Sequence, residues 1–141
     1  MSEYETYDIL IKAVGALVVL IGVPLGLVKY FDTKRKEFYA RFWDKRLEYY
    51  LRASKAASSI AVSRSDDNSD AARRDFWQLF FGEMSVVEDE SVKEAMQSFG
   101  GDLELAKAGG KPYSALEQPA YRLSLACRES LRSSWNRPFG L

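Results

Sequence analysis

The feature that most limits what this chain can become is the run Ile9–Val28, ILIKAVGALVVLIGVPLGLV. From Ala13 to Val28 it holds no polar side chain. Twenty helical residues rise about 30 Å, the hydrocarbon thickness of a bilayer. Tyr4 and Tyr7 precede the run, and Tyr30 and Phe31 follow it; aromatic rings at both ends suit the two membrane–water interfaces. A helix buried in a soluble core fits less well, because such helices usually keep one polar face. A cleaved signal peptide also fits poorly. Its leader would be basic and its end small-residue, whereas MSEYETYD carries Glu3, Glu5 and Asp8 and no base, and Lys29-Tyr30-Phe31-Asp32 closes the run. The pattern predicts a short extracytoplasmic N-terminus over residues 1–8 and one transmembrane helix over residues 9–29.

Charge sets the expected orientation. Three acids and no base stand before the run, whereas residues 29–46 hold seven bases and three acids. Lysine and arginine stay on the cytoplasmic side, so the N-terminus is expected outside and the C-terminus in the cytoplasm of an inner (plasma) membrane. The lone Cys127 agrees with a reducing compartment. Lys34, Arg35 and Lys36 are then placed to grip anionic lipid headgroups, at about 1 kcal/mol per base near the surface.

One face of the helix is distinctive. At about 100° per residue, Asp8, Lys12, Gly15, Gly22 and Gly26 share a narrow sector. Gly22-x-x-x-Gly26 lets two helices approach closely, which makes Gly15, Gly22 and Gly26 a candidate helix-association face. Asp8 and Lys12 can pair at i, i+4, and could instead line a pore or an interface. Glycine is also common in membrane helices, and Lys12 can snorkel outward. Pro24 removes one helix hydrogen bond.

The rest reads as all-helical. Beyond the apolar run, valine and isoleucine are reduced to Ile60, Val62, Val86, Val87 and Val92, too few β-branched residues for a sheet. No glycine or proline lies between Gly26 and Gly82, so the membrane helix is expected to continue unbroken to about Arg64. Glu37→Arg41 and Glu48→Arg52 are spaced to pair along it. Asp66–Asp70 reads as a turn and cap. A second helix is expected over about Asp70–Val87, with Phe76, Trp77, Phe80 and Phe81 inward. Ser91-x-x-Glu94 reads as a capping box opening a third helix, which Gly100-Gly101 could split. A last helix is expected from about Pro119 to Trp135. Short connections between four such segments imply a cytosolic antiparallel four-helix bundle over residues 30–135, with an irregular tail over 136–141.

Composition narrows the chemistry. The chain has 141 residues, no histidine, one cysteine, and 20 bases against 20 acids. Missing histidine removes the usual acid/base group near neutral pH and the commonest metal ligand. Zero net charge argues against a general nucleic-acid binder, and Gly109-Gly110-Lys111-Pro112 matches no phosphate-cradling loop. Cys127 lacks a histidine to activate it. Glu83, Glu88, Asp89 and Glu90 could in principle hold a cation, but carboxylates at helix ends usually cap and solvate. Arg128 could reach Glu83 or Glu88 and form a structural ion pair that fixes register. No cofactor is implied. Residues 29–64 carry ten bases and four acids, whereas 66–117 carry five bases and twelve acids. Such segregation attracts within a bundle or between protomers.

Three stretches, KEFYARFWDKRLEYYLRAS, FWQLFFGEMSVVEDESVKEAMQSF and LACRESLRSSW, resemble bacterial single-pass membrane proteins with a cytosolic helical domain. The resemblance covers most of the chain from Lys36 to Trp135 and implies no activity. The expectation is a non-enzymatic membrane protein whose helical domain binds copies of itself or a larger membrane protein. A small oligomeric pore or membrane-perturbing effector is the alternative, and an acidic-site metal enzyme a distant third.

Overall fold

The structure is a computed structural model that describes residues 3–63 and 66–136. All regular structure among these residues is helical: α1 (Glu3–Val62), α2 (Asp66–Phe81), α3 (Met84–Val87), α4 (Glu90–Lys107), a 3-10 turn (Tyr113–Leu116) and α5 (Glu117–Asn136). The chain divides into two units, one ending at Arg41 and the other beginning at Phe42. α1 includes Pro24 and residues on both sides of that division.

The first unit is a helix with no tertiary cover. Every described residue from Glu3 to Arg41 is exposed, including Ile11, Leu20 and Leu25. It is the one described helix long and apolar enough to cross a membrane.

The second unit has one core. The far part of α1 supplies Tyr50, Ile60 and the small residues Ala53, Ala56, Ala57 and Ala61. The alanines bury little surface themselves and leave room for neighbouring backbones. α2 and α3 add Phe76, Leu79, Met84 and Val87; α4 adds Val92, Met96, Phe99, Leu103 and Ala106; Leu116, Ala120, Leu123 and Cys127 complete it. Phe76 and Phe99 meet edge-on at 4.9 Å, the preferred aromatic geometry. Trp43 meets Trp135 in the same way at 5.3 Å.

Several local expectations change. α2 begins at Asp66, so the acidic cluster opens the helix instead of forming a turn before it. The expected inner side of α2 is narrower: Phe76 and Leu79 are buried, while Phe81 is 75 % exposed. Phe81 instead stacks on Trp77 at 5.7 Å. The helix stops at Gly82, and α3 is a separate turn. α4 is capped by Asp89, whose carboxylate accepts from the Val92 amide, and not by Ser91. The expected helix end at Arg64 and residues 137–141 of the expected tail lie outside the described residues, whereas Asn136, expected in that tail, ends α5.

Gly100-Gly101 does not split α4. A Cβ on Gly100 would sit 2.9 Å from the Trp77 ring, whereas one on Gly101 would meet nothing within 4 Å. The two glycines are therefore expected to respond oppositely to alanine. Gly101→Ala raises stability by about 0.5–1 kcal/mol through helix propensity. Gly100→Ala gains the same propensity but displaces a packed ring, for a net loss of about 1 kcal/mol. Denaturant melts of the two variants check this, and equal shifts would refute the role of Trp77.

Candidate functional site

On the membrane-length helix, Lys12 Nζ reaches Asp8 Oδ2 at 2.6 Å, and both side chains are largely exposed. A Cβ at Gly15, Gly22 or Gly26 would meet nothing within 4 Å; the glycine sector is bare in the single chain. Of the basic run, Lys34 pairs with Glu37 at 3.1 Å and Lys36 with Asp32 at 2.7 Å. Arg35 is exposed with no ion pair among the described residues. Exposed pairs of this kind contribute about 0–1 kcal/mol and exchange partners readily, so the run stays available to outside anions.

The most organised polar site lies in the second unit and centres on Arg46. Its Nη2 donates to Ser130 Oγ at 2.9 Å and to Asp89 Oδ2 at 3.4 Å, and its Nε donates to the Tyr50 hydroxyl at 2.9 Å. The Tyr50 hydroxyl lies 3.0 Å from Ser130 Oγ and 3.4 Å from the Val87 carbonyl. Asp89 Oδ1 accepts from the Val92 amide at 3.1 Å and from Ser91 Oγ at 2.8 Å. The network joins α1, the α3–α4 connection and α5. Tyr50 and Ser130 are buried, and the Arg46 side chain is 12 % exposed.

Electrostatics follow the geometry. Burial would raise the Asp89 carboxyl, but hydrogen bonds from Ser130, Ser91 and the Val92 amide, with the Arg46 charge, outweigh it and hold the group below its ordinary range. Burial drives the Tyr50 hydroxyl upward despite Ser130 and Arg46. Burial also pushes the Cys127 thiol up to about 11, the behaviour of an inert core thiol. With each member partnered, this arrangement suits a lock between helices.

The expected register-fixing pair is made by other residues. Arg128 is exposed and has no ion pair among the described residues. Glu83 lies 3.6 Å from Arg52, which also grips Asp75 at 2.6 Å. Glu88 is half-buried; burial raises its carboxyl, and Glu90 and Asp89 add to the shift against Lys93. Arg52 thus turns across to α2 instead of pairing with Glu48, which takes Lys45 at 2.7 Å. Glu37 and Arg41 approach to 3.7 Å. Among the described residues no group of three or more metal-ligating side chains gathers.

An open groove of about 460 Å³ is lined by Asp70, Arg73, Arg74, Trp77, Glu104 and Lys107. Arg73 is engaged by Asp70 and by the Tyr113 hydroxyl. No family model, curated protein or solved structure matches the chain.

Proposed function

We propose that the chain is a non-enzymatic, single-pass protein of a bacterial inner membrane. Residues 9–29 span the bilayer with the N-terminus outside, and a cytosolic antiparallel four-helix bundle assembles with copies of the chain or with a larger membrane protein. The observation that carries this reading is the bare apolar helix. Leaving a Leu, Ile or Val side chain in water instead of burying it costs about 1.5–3 kcal/mol, and this segment holds thirteen of them between Ile9 and Val28. Lipid covers them without a protein partner. The basic residues that follow support the orientation, and the resemblance to bacterial single-pass proteins supports the setting. The bundle reading is supported by contact order: Trp43 meets Trp135 and Tyr50 meets Ser130, so α1 and α5 run in opposite directions. The absence of histidine from the sequence supports a binding role over catalysis.

The test is extraction and proteolysis of the full chain in native membranes. The protein is expected to resist alkaline carbonate, to require detergent, and to be cut after residue 30 only from the cytosolic side. A chain that leaves the membrane fraction without detergent overturns the reading.

A second reading, an oligomeric pore, is favoured by one observation: the Asp8–Lys12 pair lies on the glycine sector. It requires ion flux from reconstituted protein that Lys12→Leu abolishes.

A further inference from the structure

Helices α4 and α5 pack on each other and share the buried cluster that includes Met96, Leu103, Leu123 and Cys127. Their outward faces therefore cannot meet within one chain. On α5 that face carries Tyr121, Leu125, Arg128 and Arg132, at steps of 4, 3 and 4. Tyr121 is 59 % exposed. Among the described residues Arg128 has no ion pair and Arg132 pairs with the exposed Glu129 alone. On α4 the outward face carries Glu90, Glu94, Gln97 and Gly101, also at steps of 4, 3 and 4. Glu94 makes no ion pair among the described residues, and Glu90 has only the exposed Lys93 at 3.3 Å.

The two patterns are complementary in one direction. Laid antiparallel, Arg132 falls opposite Glu90, Arg128 opposite Glu94, Leu125 opposite Gln97 and Tyr121 opposite Gly101. Space above Gly101 is open, which admits the tyrosine ring as a knob between helices. Leu105, 53 % exposed, lies one turn on. Laid parallel, Tyr121 and Leu125 would cover Glu90 and Glu94 and leave both arginines without acids. Tyrosine and arginine are the residues that most often carry binding energy at interfaces, and opposed charges fix register.

We infer that the outward face of α5 docks antiparallel on the outward face of α4 of a second copy, with Arg128–Glu94 and Tyr121–Gly101 at its centre. The inference rests on the reading that the anchored chain assembles with itself, and it names the surface that does so.

The experiment co-reconstitutes two differently tagged full-length populations, Arg132→Cys and Glu90→Cys, into phosphatidylcholine vesicles under mild oxidation; this pair lies at the edge of the surface and leaves Tyr121, Gly101, Arg128 and Glu94 in place. Cys127 is buried and stays in both. The expected product is the mixed disulfide. Adding Arg128→Glu to both populations lowers its yield about tenfold, Glu94→Arg does the same, and the two exchanges together restore it, because like charges at an interface repel and the swapped pair attracts. All the charge variants are at exposed positions, so folding is not at stake. A mixed disulfide no more abundant than that between Arg74→Cys and Glu90→Cys overturns the inference, as does insensitivity to Arg128→Glu or failure of the double exchange. Flotation of the same vesicles separates the levels: protein that floats without the mixed disulfide defeats this docking alone, and protein that does not float defeats the membrane reading beneath it. Retention by vesicles containing anionic lipid that falls with Arg128→Glu, without the mixed disulfide, assigns the arginines to headgroups and also overturns it.

Discussion

Asp89→Ala is expected to destabilise the helical domain by about 3 kcal/mol, or about 15 °C in melting temperature for a unit of this size. Two losses combine. The cap on the Val92 amide disappears, at about 1 kcal/mol. Arg46, whose side chain is 12 % exposed, then holds a charge without its carboxylate. Removing one member of a fully buried pair costs about 3–5 kcal/mol; Asp89 is 37 % exposed, so the share here is nearer 2. Asp89→Asn separates the two, since asparagine caps as well as aspartate but leaves Arg46 unpaired. Its loss should be about two-thirds that of alanine. The pH dependence has a fixed sign. A carboxyl held low in the folded state stabilises fully above its unfolded value of about 3.9, and that contribution fades as pH falls further through the folded value. Wild type should lose this increment below about pH 4, and Asp89→Ala should lack it. Thermal melts of the full chain in detergent, followed by near-ultraviolet circular dichroism from pH 7 to pH 3, read both effects. A variant melting within 2 °C of wild type at pH 7 would show that Arg46 does not depend on Asp89.

Much of this architecture was legible locally, and what was not had a distant cause. The apolar run and the lack of glycine or proline after Gly26 announce one long helix, and α1 extends to Val62. Val92, Met96, Phe99 and Leu103 follow a helical period and are buried. Arg46 gave no such sign. It sits in a basic run that reads as a solvated face, and its partners Asp89 and Ser130 are 43 and 84 residues away. A long cationic side chain can bury its stem and find a remote acid, which no local pattern records. Arg128 shows the converse: its charge made it a candidate for an internal pair with Glu83 or Glu88, yet its angle on α5 points it outward. Phe80 and Phe81 are equally apolar, and apolarity alone put both inside; helical spacing separates them, since Phe80 is four residues from the buried Phe76 and packs on the core, whereas Phe81 is five residues away and falls outside it. Asp89 and Ser91 are both good caps, and Asp89 is selected because Arg46 and Ser130 also bind it. Gly100 and Gly101 look alike in sequence and differ only through the ring above one of them. The outward stripes of α4 and α5 were hidden for a related reason: which face is outward depends on the core that both helices share.

Leu17→Arg with Ile21→Arg is expected to move the chain from the membrane to the soluble or aggregated fraction. Each arginine near the centre of a spanning helix costs about 2.5–3.5 kcal/mol on insertion scales, whereas each Leu, Ile or Val contributes about 0.3–0.6. Eleven of the thirteen such residues between Ile9 and Val28 would remain, a gain of about 3–7 kcal/mol against a new cost of about 5–7. Gly15, Gly22, Gly26 and Pro24 insert less readily than leucine, which tips the sum further. The two positions lie one turn apart and away from the glycine sector, so a self-association seam is left intact and loss of membrane binding cannot be ascribed to it. Leu17→Ala with Ile21→Ala removes the same two branched aliphatic side chains without adding charge and should stay membrane-bound. Carbonate-resistant retention of the arginine variant, equal to that of the alanine variant, would mean that this helix is not held by hydrocarbon. Its exposed leucines and valines would then need a protein surface to cover them, and the topology drawn from Lys29 onward would lose its basis.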